Sequence, residues 1–407
     1  MTPAHAPAAP VTDRAGYQRL FAAQVIALLG TGIATVALAL LSYDLAGADA
    51  GAVFGTALAI KMGAYVVIAP VAAAATARLP RRMMLVASDL VRAAVACAMP
   101  FVTSVGQIYV LIFVFQAASA VFMPLFQASI PELLPEEEDY AAALARARLA
   151  YELEGPISPI VAAALLQLFD GHALFFSTAI GFVASALLIL RVKLPEARGR
   201  QDEGMVSRLK RGFGMFASTP RLRGLAALNL AVAVGSAMVT VNTVVLVQVR
   251  LGHDDRATGI GLATFGLGSI AGTLVLPGLL RRITERSLML PGAAMIAAAL
   301  MLGTVAPGLR LLLPLWFAIG IGCALAQTPY GFLIRRTIAA PEEKPPLYAA
   351  HFALSHLCLL LAYPVAGWLG STAGMRTTFA VLGTTAAAAG LLAQRLWPPE
   401  EDAAAPA

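Results

Sequence analysis

Charged side chains are rare inside the apolar stretches of this 407-residue chain, so each one found there is informative. A charge at mid-bilayer depth costs about 2.5–3.5 kcal/mol on insertion scales and therefore needs a partner or a watery cavity. Lys61 stands in the middle of an apolar run. It could hold an anionic group of a ligand, tune a neighbouring acid, or pair structurally with an acid on an adjacent helix. Asp89 and Arg92 are three residues apart, which puts them on one face of a helix and lets them pair there, as part of a gate or as a structural latch. Arg148 and Glu152 are four apart and share a face, whereas Glu154 points elsewhere and needs a partner on another helix. Glu154 also precedes Gly155-Pro156, where proline leaves a carbonyl unpaired. It is the first candidate for a titrating carboxylate and Glu152 the second, with a static interhelical salt bridge as the alternative for each. His356 could titrate near neutrality or simply pack. His351 and His356 are five apart, one more than a helical metal pair needs, so no metal site is expected.

The elements that must position these residues follow from composition. The chain is 59% hydrophobic and 13% charged, with mean hydropathy +0.78. Soluble domains carry about 25% charged residues, so a polytopic all-α membrane protein is expected. Twelve apolar runs of spanning length can be read, the first near 18–42 and the last near 375–396. With the N-terminus in the cytoplasm, most of the 29 basic residues fall at the cytoplasmic side and only Arg250, Arg256, Arg310 and Arg376 fall outside. Both termini are then cytoplasmic. The net charge of +6 concerns topology rather than nucleic acid, and three scattered cysteines make no disulfide framework. Lysine is scarce beside arginine, which fits a high-GC bacterial gene and a bacterial cytoplasmic membrane.

Between Arg191 and Arg223 nine basic residues gather against Glu196, Asp202 and Glu203. Within this stretch Val206, Leu209, Phe213 and Phe216 fall near helical spacing, so a short amphipathic helix on an anionic membrane face is predicted. The expected organisation is a disordered tail (1–16), a six-helix bundle (17–193), a cytoplasmic linker (194–220), a second six-helix bundle (221–396) and a tail (397–407). The halves repeat weakly. At an offset of 205, Gln24 meets Asn229 and Gly30 meets Gly235; at 208, Tyr140-Ala141-Ala142 meets Tyr348-Ala349-Ala350.

Two parallel six-helix repeats joined by a basic amphipathic linker resemble the major facilitator superfamily. The best local marks are Ala77-Arg78-Leu79-Pro80-Arg81-Arg82 after the second span, Asp89-Leu90-Val91-Arg92 in the third, and Gly155-Pro156 in the fifth. The run from Phe126 to Pro135 is similar to the fourth-span exit of the macrolide and siderophore exporter branch. The chain departs from the family pattern at Ala77, where an acid is usual, and at Pro159-Ile160, where the antiporter motif usually has paired glycines. The resemblance implies a secondary transporter, not an enzyme, that rocks its halves about a central site and needs no cofactor.

Spans expected to line that site hold Gln24, Gln116, Asn229, Asn242 and Gln327 among aromatics such as Phe122. A mostly apolar wall with a few amides suits a small lipophilic compound better than a sugar. Proton-coupled efflux by a monomer in the lipid bilayer is the leading expectation. Siderophore, lipid or metal-ion transport without strict proton coupling, and a non-transporting scaffold or receptor, are the alternatives.

Overall fold

In lipid, every backbone N–H and C=O must find its partner within the chain, so continuous apolar runs have little choice but helix. The computed structural model describes residues 12–75, 80–194, 205–280, 282–305, 308–337 and 344–397, and among these the regular elements are helical. In chain order they are α1 (Arg14–Ala46), α2 (Ala50–Ala75), α3 (Arg81–Ala98), α4 (Val105–Leu133), α5 (Glu137–Leu166), α6 (Ala173–Leu190) and α7 (Met205–Ser218), followed by α8 (Pro220–Val244), α9 (Asp255–Leu280), α10 (Glu285–Gly303), α11 (Leu309–Gln327), α12 (Tyr330–Thr337), α13 (Lys344–Thr372) and α14 (Met375–Leu396). A π-helical turn, Val245–Arg250, ends α8.

Local sequence sets the helix ends. Asp13 caps α1 by accepting from the Gly16 N–H at 2.8 Å, so the helix starts at Arg14, inside the stretch read as tail. Ser104 and Gln107 form a capping box on α4. Gly47, Gly252 and Gly374 adopt positive φ at turns between helices, a conformation that side chains with a Cβ resist. In α5 the segments Ala142–Tyr151 and Leu153–Leu166 meet at 46°. The cause is Pro156, which cannot donate to the carbonyl four residues back at Glu152.

Helices α1 to α6 pack mainly among themselves, with α1 against α5 and α6, and α2 and α3 against α4. Helices α8 to α11, α13 and α14 do the same, led by α9 on α11 and α8 on α14. Two seams join these sets: α2 runs along α13 and α5 along α9. Both depend on glycine. A Cβ on Gly55 would lie 2.5 Å from the Tyr363 carbonyl oxygen, and a Cβ on Gly266 would run into the Pro156 carbonyl. One end of the bundle, here the near end, carries both described chain ends: the Asp13 N–H donates to the Leu133 carbonyl at 2.9 Å and Arg286 Nε donates to the Trp397 carbonyl at 2.8 Å.

The basic stretch between Arg191 and Arg223 does contain an amphipathic helix, α7, but part of its apolar side is covered by protein. Phe216 is buried against His351 of α13, and Gly212 lets α7 approach Pro346. Phe213 remains exposed. The side chains of Val206 and Leu209 lie outside the described residues.

Candidate functional site: a charged pocket beside the α2–α13 seam

Helices α1, α2, α3, α4 and α6 enclose a small cavity of about 20 Å³, water-sized, whose wall includes Thr31, Thr35, Leu58, Lys61, Phe115 and Gln116. Thr31 and Thr35 are four residues apart on α1 and so face the same way. Thr35 Oγ1 donates to the Thr31 carbonyl at 3.0 Å and receives Lys61 Nζ at 3.5 Å. Lys61 lies deep in the molecule yet keeps partial access to solvent, as expected of a cation at a cavity wall.

Glu154 on α5 reaches the same face of α1 as Lys61: Gly32 and Thr35 are three residues apart there, Gly32 beside Glu154 Oε1 and Thr35 beside Lys61 Nζ. The two charges make no direct ion pair among the described residues. At low local dielectric, attraction between opposite charges extends well beyond contact distance. Gly32 makes room for the carboxylate: a Cβ there would stand 3.0 Å from Glu154 Oε1 and would collide with Ser158 one turn further along α5. Across the seam α13 carries two more polar groups, His356, stacked on Phe352, and Tyr363, whose carbonyl lies against Gly55. His356 Nδ1 lies 2.8 Å from the Phe352 carbonyl.

Three polar atoms at or near this region have no hydrogen-bond partner among the described residues: Gln116 Oε1, Ser158 Oγ and Gln24 Oε1, all buried. Native interiors usually pair such atoms; of the three, only Gln116 lines the cavity. Gln24 otherwise makes only a long contact from Nε2 to Met123 Sδ, 3.7 Å.

Asp89 and Arg92 pair within α3 as their spacing predicts, but they stand apart from the pocket. Ser185 of α6 donates to Asp89 Oδ2 at 2.7 Å, and the Arg92 guanidinium lies between the rings of Phe122 (4.5 Å) and Phe182 (4.4 Å). Cation–π contacts on both faces and a hydrogen-bonded carboxylate make a clasp joining α3, α4 and α6. Phe122, expected on the cavity wall, is part of that clasp, being almost fully buried over Arg92.

At the near end Arg81 pairs with Glu132 at the end of α4, and Arg82 is exposed. Arg78, and the side chains of Arg148 and Glu152, lie outside the described residues. On α8, the side chain of Asn229 meets His351 at 3.4 Å, and His351 stacks on Tyr330 with ring centroids 4.1 Å apart. Asn242 donates to the Ala366 carbonyl at 3.1 Å, so it braces α8 against α13. Gln327 ends α11, half-buried. Sequence reasoning missed Gly32, Thr35, Ser158 and Tyr363. The threonine pair on α1 carried a readable signal, because two hydroxyls at helical spacing in an apolar run mark a polar face.

The sequence profile of the Major Facilitator Superfamily matches residues 20–283 and 227–407. The chain belongs to the major facilitator superfamily. Within this superfamily it is similar to the uncharacterized MFS-type transporter YfiS of Bacillus subtilis (strain 168), 23% identical over 342 residues with 80% of each chain covered. It is also similar to the multidrug efflux pump Tap of Mycobacterium tuberculosis (strain ATCC 25618 / H37Rv), 26% identical over 331 residues with 78% of each chain covered. Among solved structures, that of the nucleoside transporter NupG superposes with a TM-score of 0.71 at 13% identity, covering 94% of this chain and 98% of that one. This last likeness concerns the fold alone. As a superfamily member the chain is a multi-pass membrane protein of a transporter family.

Proposed function

We propose that this superfamily member is a secondary transporter that exports a small, mainly lipophilic organic compound in exchange for protons, with Lys61 and Glu154, beside the α2–α13 seam, as the coupling pair. The observation that carries the reading is that Lys61 and Glu154 approach one face of α1 without pairing, Lys61 Nζ 3.5 Å from Thr35 Oγ1 and Glu154 Oε1 beside Gly32, two opposite charges far inside an apolar bundle. When Glu154 is ionised, attraction draws the carboxylate toward Lys61 and favours one packing of α5 and α2 about α1. Once protonated it loses that attraction and leaves Lys61 to Thr35 and to the substrate. A proton therefore biases two arrangements of the same helices, which is what coupling requires. The apolar wall of Leu58, Phe115 and Phe175 with one amide, Gln116, supports a lipophilic cargo, and the likeness to Tap supports outward movement. The resemblance of Phe126–Pro135 to the macrolide and siderophore exporter branch points the same way.

The membrane arrangement that goes with this reading has twelve crossings. Residues Arg14–Ala64 form one apolar stretch of 51 residues that turns back at Gly47 and so counts as parts of two crossings, α1 and α2, and the bent α5 counts as one. The near end faces the cytoplasm of a bacterium, where basic residues collect. The two bundles, 17–193 and 221–396, rock as units about the α2–α13 and α5–α9 seams, joined by the 194–220 linker, and the working unit is a monomer.

The test uses the full chain in proteoliposomes with an imposed pH gradient and ethidium as the lipophilic probe. Probe movement that collapses on adding a protonophore supports the exchange. Movement that ignores the protonophore overturns it in favour of uncoupled transport.

A further inference from the structure

At the far end of the bundle, opposite the chain ends, two of the four basic residues placed there by sequence come together. Arg250 ends the π-helical turn after α8, and Arg376 stands in the first turn of α14. Both line one cleft of about 380 Å³ that also touches the end of α10 at Gly303. The floor is apolar, formed by Leu246, Leu251, Met375 and Phe379, of which Phe379 is 1% exposed. Gly303 carries no side chain because the Phe379 ring occupies the space where its Cβ would be.

Neither arginine makes a side-chain hydrogen bond or ion pair among the described residues, although the Arg250 Nη2 atom comes within 3.6 Å of where a Cβ of Gly374 would lie. The acids that follow the π-turn are engaged elsewhere: Asp254 Oδ1 accepts from the Ala257 N–H at 3.0 Å, and Asp255 Oδ1 accepts from Gln248 Nε2 at 2.9 Å. No acid lies in the first turn of α14, whose positive dipole end opens at the same place. Net positive potential therefore meets an oily floor at the level where the helices end. Beside it, Leu302 (58% exposed) and Val305 (68% exposed) of the α10 terminus form part of the outer surface of the bundle.

We propose that this cleft binds an anionic phospholipid of the outer leaflet, its phosphodiester held by Arg250 and Arg376 and its glycerol and upper acyl carbons laid on Leu246, Leu251, Met375 and Phe379. A guanidinium matches a phosphate with two parallel N–H donors, which lysine cannot do. The apolar floor separates a lipid from free phosphate, since inorganic phosphate gains nothing from Leu246 and Phe379. Occupancy would tie α8, α10 and α14 together at that end and stabilise the second group of helices without touching the Lys61–Glu154 pocket.

The experiment compares thermal stability of the purified full chain in detergent with added phosphatidylglycerol, phosphatidylcholine or inorganic phosphate, for the wild type, R376Q and R250Q/R376Q. Arg376 is exposed and makes no described side-chain bond, so R376Q folds as the wild type does. The expected result is a rise in Tm with phosphatidylglycerol, little with phosphatidylcholine and none with phosphate. The concentration needed should increase about tenfold for each arginine removed, the loss expected of one charged hydrogen-bonding partner. Native mass spectrometry of the same samples counts retained phosphatidylglycerol and reads the site even if the double variant has a lower baseline Tm. An equal phosphatidylglycerol response in R376Q and the wild type overturns the site, and an equal response to inorganic phosphate overturns the lipid.

Discussion

The two groups of helices differ in degree in how their polar residues are paired. In the first, Lys61 and Glu154 make no ion pair among the described residues, and Gln116 Oε1 and Ser158 Oγ have no described partner. In the second, more of the deep polar groups are bonded: Trp316 Nε1 donates to Thr243 Oγ1 at 2.8 Å, Asn229 meets His351, and Asn242 Nδ2 reaches the Ala366 carbonyl, although Asn242 Oδ1 has no described partner. A satisfied network rigidifies, whereas an unclosed pair beside a cavity retains a choice of partners. The difference teaches that depth of burial alone does not separate the two groups.

This contrast predicts a ranking of variants. The largest effect belongs to Gly32→Leu, whose side chain would occupy the space of Ser158 and Glu154 and drive α1 from α5. Overpacking of this kind costs about 1–3 kcal/mol or more, read as a lower Tm in detergent and lost transport. Gly63→Ala, where a Cβ meets nothing within 4 Å, serves as the silent control. Next comes Lys61→Met, which keeps the stem of the side chain but removes the charge facing Glu154. Proton-driven transport should fall by about tenfold, the equivalent of one modest electrostatic interaction, with a folded protein retained. Unchanged transport in this variant would separate the pair from function. Smallest for transport is Asn242→Leu. Losing the bond to Ala366 costs about 1 kcal/mol of stability, and transport per folded molecule should match the wild type. A change in coupling there would erase the contrast between the two groups.

Much of this was legible in the sequence. Long apolar runs, the basic stretch at 191–223 and the motif residues were enough to expect an all-helical chain resembling the major facilitator superfamily. The three-residue spacing of Asp89 and Arg92 predicted their pairing. The direction in which each span faces was not legible. Helices such as α4 are apolar all round, so nothing in the pattern distinguishes the face at Gln116, on the pocket, from the face at Phe122, over Arg92. For the same reason Asn242 was expected on the cavity wall and stands on the α8–α13 contact. Ser185 and Phe182, which complete the Asp89–Arg92 clasp, lie nearly a hundred residues away in a span that gives no local sign of them.

The central claim is that Glu154 carries the proton, and the most direct test is Glu154→Gln in proteoliposomes loaded with ethidium. The account predicts that the variant loses movement against a probe gradient under an imposed pH gradient, while still letting the probe run down its own gradient. Uphill movement at the wild-type rate in Glu154→Gln would contradict it.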